Sequence, residues 1–302
     1  METVIGSAAT ASIPLVLGAL AVLVASRAGV LNIAVEGLML LGAFMAGWAG
    51  HSISPAGGFA AAVVAGGLAG LTIGWIMVLS RADQVVVGVA FNILVLGLTT
   101  YGFEEITADS PKAMDVGQPA TVALPLLHHL PWFGPIFDMN WIAYLAFILV
   151  PITSYVVFRT GLGARLRACG EYAEGARAVG IDVIRVRLLA MTVSGMLAGA
   201  GGSFLVLGDV GVFRKNITSG RGYIAFVIVI LARYRPVGAL IAALGFGLAQ
   251  ALTFYLQLNG VHIPSQFVLA TPYVVTLVAI VVAGKRIGRP PAEEGRPLTL
   301  SR

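Results

Sequence analysis

The sequence predicts an all-α polytopic membrane protein of about nine transmembrane helices, with eight or ten as the alternatives, on two observations. Apolar residues make up 58% of the chain and charged residues only 11%, with a mean hydropathy of +0.92. Soluble domains carry roughly 25% charged residues, so a water-soluble fold is excluded. Apolar segments also follow one another almost from end to end and leave no stretch for a separate soluble module. We therefore expect a single membrane domain over residues 1–302.

The predicted helices follow from segment length, because a transmembrane helix needs about 20 mostly apolar residues. The candidate segments are residues 5–26, 31–50, 56–80, 84–103, 141–158, 188–207, 223–232, 236–258 and 264–284. The run 223–232 is the weakest candidate, since about 10 helical residues cover only half of a bilayer. It either extends into its flanks or is a broken helix that lines a cavity, where irregular backbone is tolerated in membranes.

Positive charge predicts the orientation of these helices, because Lys and Arg collect in cytoplasmic loops. Residues 159–187 contain six arginines, and the tail 285–302 contains five lysines or arginines. Both segments are predicted to be cytoplasmic. The N-terminus and the proline-rich loop 104–140, which carries five acids and one lysine, then lie outside. No metal site is predicted there, because His128 and His129 have no carboxylate or cysteine at ligand spacing.

Glycines recur on one face of the predicted helix 188–207, at Gly195, Gly199 and Gly202. Small residues at such spacing allow two helices to approach closely in lipid. This pattern favours tight helix packing over ligand contact.

Common catalytic motifs are absent from the sequence. It contains no G-x-x-x-x-G-K-[ST] nucleotide loop, no H-E-x-x-H and no nucleophile elbow. The chain is therefore predicted not to be an enzyme, and no cofactor is expected. Glu36 is the ionisable residue that falls inside a predicted helix, and a helix-start carboxylate favoured by the helix dipole explains it better than a proton relay. Energy for any uphill transport would then come from another subunit.

The loop 159–187 is the most informative polar segment. Its alanine-rich stretches and glycine breaks predict two short helices joined at Gly180. Its arginines are suited to lipid headgroups, but an amphipathic segment that also carries Glu171 and Glu174 is equally suited to a groove of a partner protein. The spacing alone leaves both interpretations open.

Four motifs, spread in order along the chain, carry a resemblance to a known family. They are SRAGVLNIAVEGLMLLGAF (26–44), ADQVVVGVAFNILVLGLT (82–99), RACGE through AVGI (167–181), and NITSGRGYIA with RYRPVGAL (216–240). The chain resembles, over nearly its whole length, the permease subunits of ABC importers for nucleosides and simple sugars, which are related to ribose and branched-chain amino-acid permeases. The resemblance implies a type II importer-like fold. Ribose-type relatives resemble a ten-helix plan, but this chain has no apolar segment before Ile5, hence the count of nine.

The resemblance also implies partners. The residues that match the family's ATPase-docking segment are Arg167, Gly170, Glu171, Ala178, Gly180 and Ile181, with the two glycines shaping the segment. Such permeases work in pairs, identical or related, on two ATPase subunits in the bacterial cytoplasmic (inner) membrane. An extracellular or periplasmic solute-binding protein delivers the solute. Membrane lipid is the remaining expected partner, and nucleic acid is not expected.

Candidate residues for the solute path are uncharged hydrogen-bonding groups inside the predicted helices, because nucleosides and sugars offer hydroxyls and bases but no charge. These residues are Asn32, Gln84, Asn92, Thr99, Asn216, Thr218 and Gln250, with Phe91 and Phe204 as stacking surfaces. The alternative for each buried amide is that it ties helices together.

Several functions remain open at this stage. Monosaccharide and branched-chain amino-acid permeases are alternatives to a nucleoside permease, because the candidate path residues are neutral in every case. A secondary carrier is disfavoured by the scarcity of charge inside the predicted helices, and a membrane scaffold is disfavoured by the docking-like loop.

Overall fold

The computed structural model describes residues 2–80, 82–108, 114–117, 121–123, 138–258 and 288–296, together with four single helical positions at 274, 277, 278 and 281. Its helices are α1 (Glu2–Arg27), α2 (Val35–Ser52), α3 (Pro55–Leu79), α4 (Gln84–Ala108), α5 (Trp141–Arg159), α6 (Gly161–Glu171), α7 (Ala173–Ala178), α8 (Val183–Phe204), α9 (Arg221–Leu231) and α10 (Pro236–Leu258). A π-helical turn, Leu205–Val210, continues α8. Two short antiparallel strands, β1 (Thr121–Ala123) and β2 (Asp138–Asn140), precede α5.

Helix α1 lies at the centre of the bundle and packs against α5, α8, α9 and α10. Its side chains from Ile13 to Ala25 are buried on every face. An all-apolar helix of this kind is suited to the interior, because no face needs contact with water. Helix α3 packs on the far side of α8 and α2, and α4 packs on α2. Both α3 and α4 leave many large apolar side chains exposed.

Glycines bring α3 and α8 into close contact. A Cβ atom on Gly195 would overlap the carbonyl oxygen of Gly66, and one on Gly70 would overlap that of Met191. A Cβ on Gly202 would likewise overlap the backbone of α2 at Met39. The predicted role of the small-residue face in helix packing is therefore confirmed.

The two groups of interhelical connections lie at opposite ends of the bundle. One end, here called the basic end, carries Arg27, helices α6 and α7, the turn Arg233–Arg235 and residues 288–296, which contact one another. At the other end, Asn140 donates to the carbonyl of Gly208 at 3.3 Å. The predicted docking loop and the described part of the tail thus lie at the same end. This agrees with the even number of helices predicted between them.

Six of the described helices are long and apolar enough to cross a membrane: α1, α3, α4, α5, α8 with its π-helical turn, and α10. Helix α2 begins at Val35, four residues later than the predicted segment, because residues 28–34 form an irregular connection. Helix α9 is a short helix of 11 residues and does not extend far into its flanks. The predicted segment 264–284 lies outside the described residues except for the four single helical positions.

Candidate functional site

Helix α9 begins inside the bundle, and a carboxylate on another helix caps its start. The preceding turn places Asn216, Ser219 and Gly220 at positive φ, and Gly220 has no side chain with which to cap the helix. Glu36 on α2 fills this role. Its Oε1 accepts hydrogen bonds from Thr218 Oγ1 at 2.6 Å and from the Gly220 amide at 2.8 Å, and its Oε2 accepts from the Gly222 amide at 2.7 Å.

Two physical effects favour this arrangement. The first amides of a helix have no partner within the helix, and the helix dipole attracts negative charge to that end. Gly222 permits the approach, because a Cβ there would lie 2.6 Å from the Cα of Glu36. Glu36 lies in the first turn of α2, as the sequence predicted, and its carboxylate caps the start of α9 as well.

The capped end lies deep in the bundle. Helix α9 has 11 residues and rises about 16 Å, against a hydrocarbon core of about 30 Å. It ends at the basic end, so its start lies near the middle of the apolar layer. A carboxylate at that depth is costly unless it is fully hydrogen-bonded, and Glu36, at 8% exposure, accepts three hydrogen bonds.

Asn92 on α4 joins the same site. Its Oδ1 accepts from the Gly37 amide at 2.8 Å, and its Nδ2 donates to the Ile33 carbonyl and to the Tyr223 hydroxyl, both at 3.0 Å. The phenyl ring of Phe91, also on α4, lies against Gly37 on α2. Helices α2, α4 and α9 are thus joined by one amide side chain beside the capped end.

Apart from Asn216, the remaining candidates for the solute path lie elsewhere or point elsewhere. Asn32 donates to Ser194 Oγ at 2.8 Å, and Thr99 donates to its own helix at the Val95 carbonyl. Gln84 accepts from the Leu31 amide near the basic end. Three others complete the set: Phe204, buried in the core, Gln250, half-buried on α10, and Asn216, exposed on the turn before α9.

The sequence analysis missed three residues of this site. Arg221, in the first turn of α9, donates to the Ile217 carbonyl at 3.0 Å and lies within electrostatic reach of Asp209 on the π-helical turn. Tyr223 is 44% exposed beside Asn92. The sequence did contain a signal for two of these residues. Asp209 and Arg221 are charged residues that lie on either side of the turn before the short apolar run.

The docking-like loop forms two short helices, as predicted, but they are joined at a different residue. The break lies at Tyr172, between α6 and α7, and Gly180 at φ +83° ends α7 and leads into α8. The prediction that the helices join at Gly180 is therefore wrong. Residues 176–181 close the turn through their own backbone, with the Ile181 amide donating to the Ala176 carbonyl.

Gly170 also differs from expectation. It lies within α6 and has no positive φ, so it is not one of the glycine breaks expected in this segment. A Cβ on Gly170 would overlap the carbonyl oxygen of Arg27, so this glycine is needed for close contact between α6 and the end of α1. Its neighbour Cys169 is buried, and burial raises the pKa of this thiol, although the charges of Arg187 and Arg177 oppose the rise.

The exposed face of the docking-like segment is mixed in character. Glu171, Tyr172, Ala178, Val179 and Gly180 are exposed, whereas Ile181 is half-buried. The guanidinium of Arg167 is half-buried and lies 5.4 Å from the centre of the Phe158 ring.

Arg187 is not a surface residue. Only 1% of it is exposed, and its Nε donates to the Ala28 carbonyl at 3.2 Å. The interpretation of Arg187 as a lipid anchor or a docking contact is therefore wrong, because α8 begins before this residue and turns it inward.

These features define a class. A bundle of apolar helices, an interrupted helix that starts inside it and a helical segment at one end are typical of multi-pass membrane transport proteins. The chain belongs to the family described as "Branched-chain amino acid transport system / permease component", whose sequence profile matches residues 4–284. This is a family of transport permeases and not a catalytic family.

Curated relatives agree with this assignment. The chain is 33% identical to the guanosine ABC transporter permease protein NupQ of Bacillus subtilis, over 88% of this chain and 87% of the relative. It is 28% identical to the nucleoside ABC transporter permease protein NupC of Lactococcus lactis, over 95% and 94%. It is 34% identical to the putative glucose ABC transporter permease protein TsgC13 of Haloferax volcanii, over 79% and 73%. No solved structure matches significantly. The predicted role as the membrane-spanning permease subunit of an ABC importer is confirmed.

Proposed function

We propose that this chain carries nucleosides, or sugars related to them, across the bacterial cytoplasmic membrane, while a separate subunit hydrolyses ATP. Two relatives that cover most of the chain are described as guanosine and nucleoside permeases. The glucose permease relative and the family description make simple sugars and branched-chain amino acids the alternatives.

The observation that carries the proposal is the exposed polar surface at the start of α9. The hydroxyl of Tyr223 is hydrogen-bonded to Asn92 and the ring is 44% exposed, although it lies near the middle of the apolar layer. Asn216 and Ser219 are exposed on the adjoining turn. Exposed polar groups at this depth are unfavourable against lipid, so they are suited to a solvated path or to a protein partner.

This surface matches the chemistry of a nucleoside. The rings of Phe91 and Tyr223 offer stacking surfaces for a base, and amide and hydroxyl groups offer hydrogen bonds to a ribose. Glu36 is fully occupied by α9, so it shapes the site without presenting a free charge to the solute. The path accordingly includes Phe91, Asn92, Asn216 and Thr218, with Asn32, Gln84, Phe204 and Gln250 as further predicted members.

The same proposal includes an arrangement in the membrane. The six long helices, α2 and the segment 264–284 give eight crossings, and α9 together with the turn that precedes it gives the ninth. The chain forms one membrane domain, with the basic end cytoplasmic and the loop 104–140 outside. The exposed face of α6 and α7, around Glu171, docks on the ATPase. A second permease, identical or related, completes the path, and an external solute-binding protein delivers the solute.

The test is uptake by the assembled importer in proteoliposomes. We expect ATP-dependent uptake of labelled guanosine that excess unlabelled nucleosides suppress and that excess glucose or leucine leaves unchanged. Tyr223→Phe, which removes the hydroxyl but keeps the ring, should raise KM more than it lowers kcat. Suppression by leucine or glucose but not by nucleosides would show that the solute class is wrong.

A further inference from the structure

Residues 288–296, with the sequence GRPPAEEGR, cross the basic end and are here called the strap. Pro290 and Pro291 restrict the backbone, and Gly295 makes a turn at φ +76°. Pro291 is buried. A solvated tail with this composition would stay extended, so the contacts of the strap require a separate explanation.

The first contact joins the strap to α6 and α8. The amide of Glu293 donates to the carbonyl of Gly170 at 2.9 Å. The Glu293 carboxylate lies 3.7 Å from Nη2 of Arg187, which makes no hydrogen bond within the described part of the chain. The strap thus supplies negative charge next to a buried guanidinium, while its backbone is joined to the docking helix.

The second contact joins the strap to α1 and to the turn after α9. Ser26 Oγ donates to Glu294 Oε1 at 2.5 Å, and the Tyr234 hydroxyl lies beside this carboxyl. Burial raises the pKa of the Glu294 carboxyl, although the hydrogen bond from Ser26, the neighbouring Tyr234 hydroxyl and the charge of Arg27 oppose the rise. Burial and then the charge of Glu294 raise the pKa of the Tyr234 hydroxyl. Arg27 in turn donates to the Tyr234 carbonyl at 2.8 Å.

Two longer hydrogen bonds connect the strap to α4 and α9. Gln84 Nε2, at the start of α4, donates to the Arg296 carbonyl at 3.4 Å. The Gly288 amide donates to the Ile230 carbonyl, near the end of α9, also at 3.4 Å. The strap therefore contacts the ends of α1, α4, α8 and α9 together with the docking helix α6.

We propose that the strap is a positioning element that couples movement of the docking helix α6 to the ends of the transport helices α1 and α9. This inference depends on the proposed function, in which α6 and α7 dock on the ATPase. Helix α6 is joined by the chain to α5 and, through α7, to α8, and Gly170 packs it directly against the end of α1. The strap adds a hydrogen-bonded connection to α1 through Ser26 and a contact with the end of α9 through Tyr234.

The experiment measures the number of solute molecules transported per ATP hydrolysed by the complete importer in proteoliposomes. The variants are Glu294→Ala, Ser26→Ala and Tyr234→Phe, each of which removes one of the polar groups that meet at Glu294. We expect hydrolysis to persist while this ratio falls by about fivefold or more for Glu294→Ala, with smaller falls for the other two. The double variant Ser26→Ala with Glu294→Ala should be no worse than Glu294→Ala alone.

Arg289→Gln is the matched control, because it removes a charge from an exposed side chain of the same strap. It should behave as the wild type. A wild-type ratio in all three contact variants at normal abundance would overturn the proposal, and so would an equal fall in the control. Should Glu294→Ala fail to assemble, the two smaller variants decide by the same criterion. A wild-type complex without solute-stimulated hydrolysis would instead overturn the proposed function and, with it, this inference.

Discussion

Glu36 shows how a single side chain determines where a helix starts inside the bundle. Its carboxylate receives one hydroxyl and two amide hydrogen bonds from the turn that begins α9. Hydrogen bonds to a charged acceptor each contribute about 1.5–3 kcal/mol. Without the carboxylate, the first amides of α9 would be buried without partners.

We therefore predict that Glu36→Ala lowers the free energy of unfolding by about 3 kcal/mol or more. Glu36→Gln should have a smaller effect, because its amide oxygen can still accept a hydrogen bond. It should still destabilise the chain, because its NH₂ group would face a backbone N–H donor. The measurement is the thermal unfolding midpoint of the purified chain in detergent. Glu104→Gln is the control, since Glu104 pairs with Lys215 where both are exposed, and such pairs contribute at most about 1 kcal/mol. Equal shifts for Glu36→Ala and the control would contradict the capping role.

At the scale of helices, glycine residues allow the backbones of α3 and α8 to approach one another closely. Gly66 and Gly195 face one another with no room for a Cβ on either. Gly97 on α4 has no atom within 4 Å of the position that its Cβ would take. These two environments give the same substitution opposite consequences.

Gly195→Ala should separate α3 from α8 and destabilise the chain by about 1–3 kcal/mol, since overpacking forces backbone shifts. Gly97→Ala should be neutral or stabilising by up to about 1 kcal/mol, because alanine favours the helix. Unfolding midpoints of the two variants, measured side by side, check this. Equal tolerance of both substitutions would show that the two helices do not need this close approach.

The docking segment gives a second prediction at this scale. Glu171 is exposed at the end of α6, whereas Gly170 is buried against Arg27. Glu171→Lys should lower solute-stimulated ATPase activity several-fold in the assembled importer, without loss of stability of the isolated chain. Gly170→Val should lower stability and abundance first, because it disrupts packing. Normal coupling in Glu171→Lys at wild-type abundance would contradict docking through this face.

Sequence reasoning succeeded where a local property decides the structure. Helices α3, α4, α5 and α10 begin within a few residues of the predicted positions, because long apolar runs must satisfy their backbone hydrogen bonds as helices. It failed where a distant residue decides. The short apolar run predicted α9 to within two residues at its start, but not the capping of that start by Glu36. The burial of Arg187 beside Ala28 and Glu293 was missed as well, because no local pattern connects these residues. The break at Tyr172 rather than Gly180 also escaped it, because no glycine or proline marks the break.

At the scale of the whole molecule, the basic residues and the two groups of connections predict orientation. Ile53 is exposed at the end of α2, and Ala178 is exposed at the basic end. In a Cys169→Ala background, a membrane-impermeant thiol reagent should label Ile53→Cys in intact cells and should label Ala178→Cys only after permeabilisation. The opposite pattern would invert the proposed orientation.

The central claim is that this chain is a permease whose transport is driven by a separate ATPase. The most direct measurement compares solute accumulation by two sets of proteoliposomes, one with the purified chain alone and one with the complete importer. We predict accumulation against a gradient only in the complete importer with ATP, and none by the chain alone under an imposed proton or sodium gradient. Uphill accumulation by the chain alone would contradict the claim.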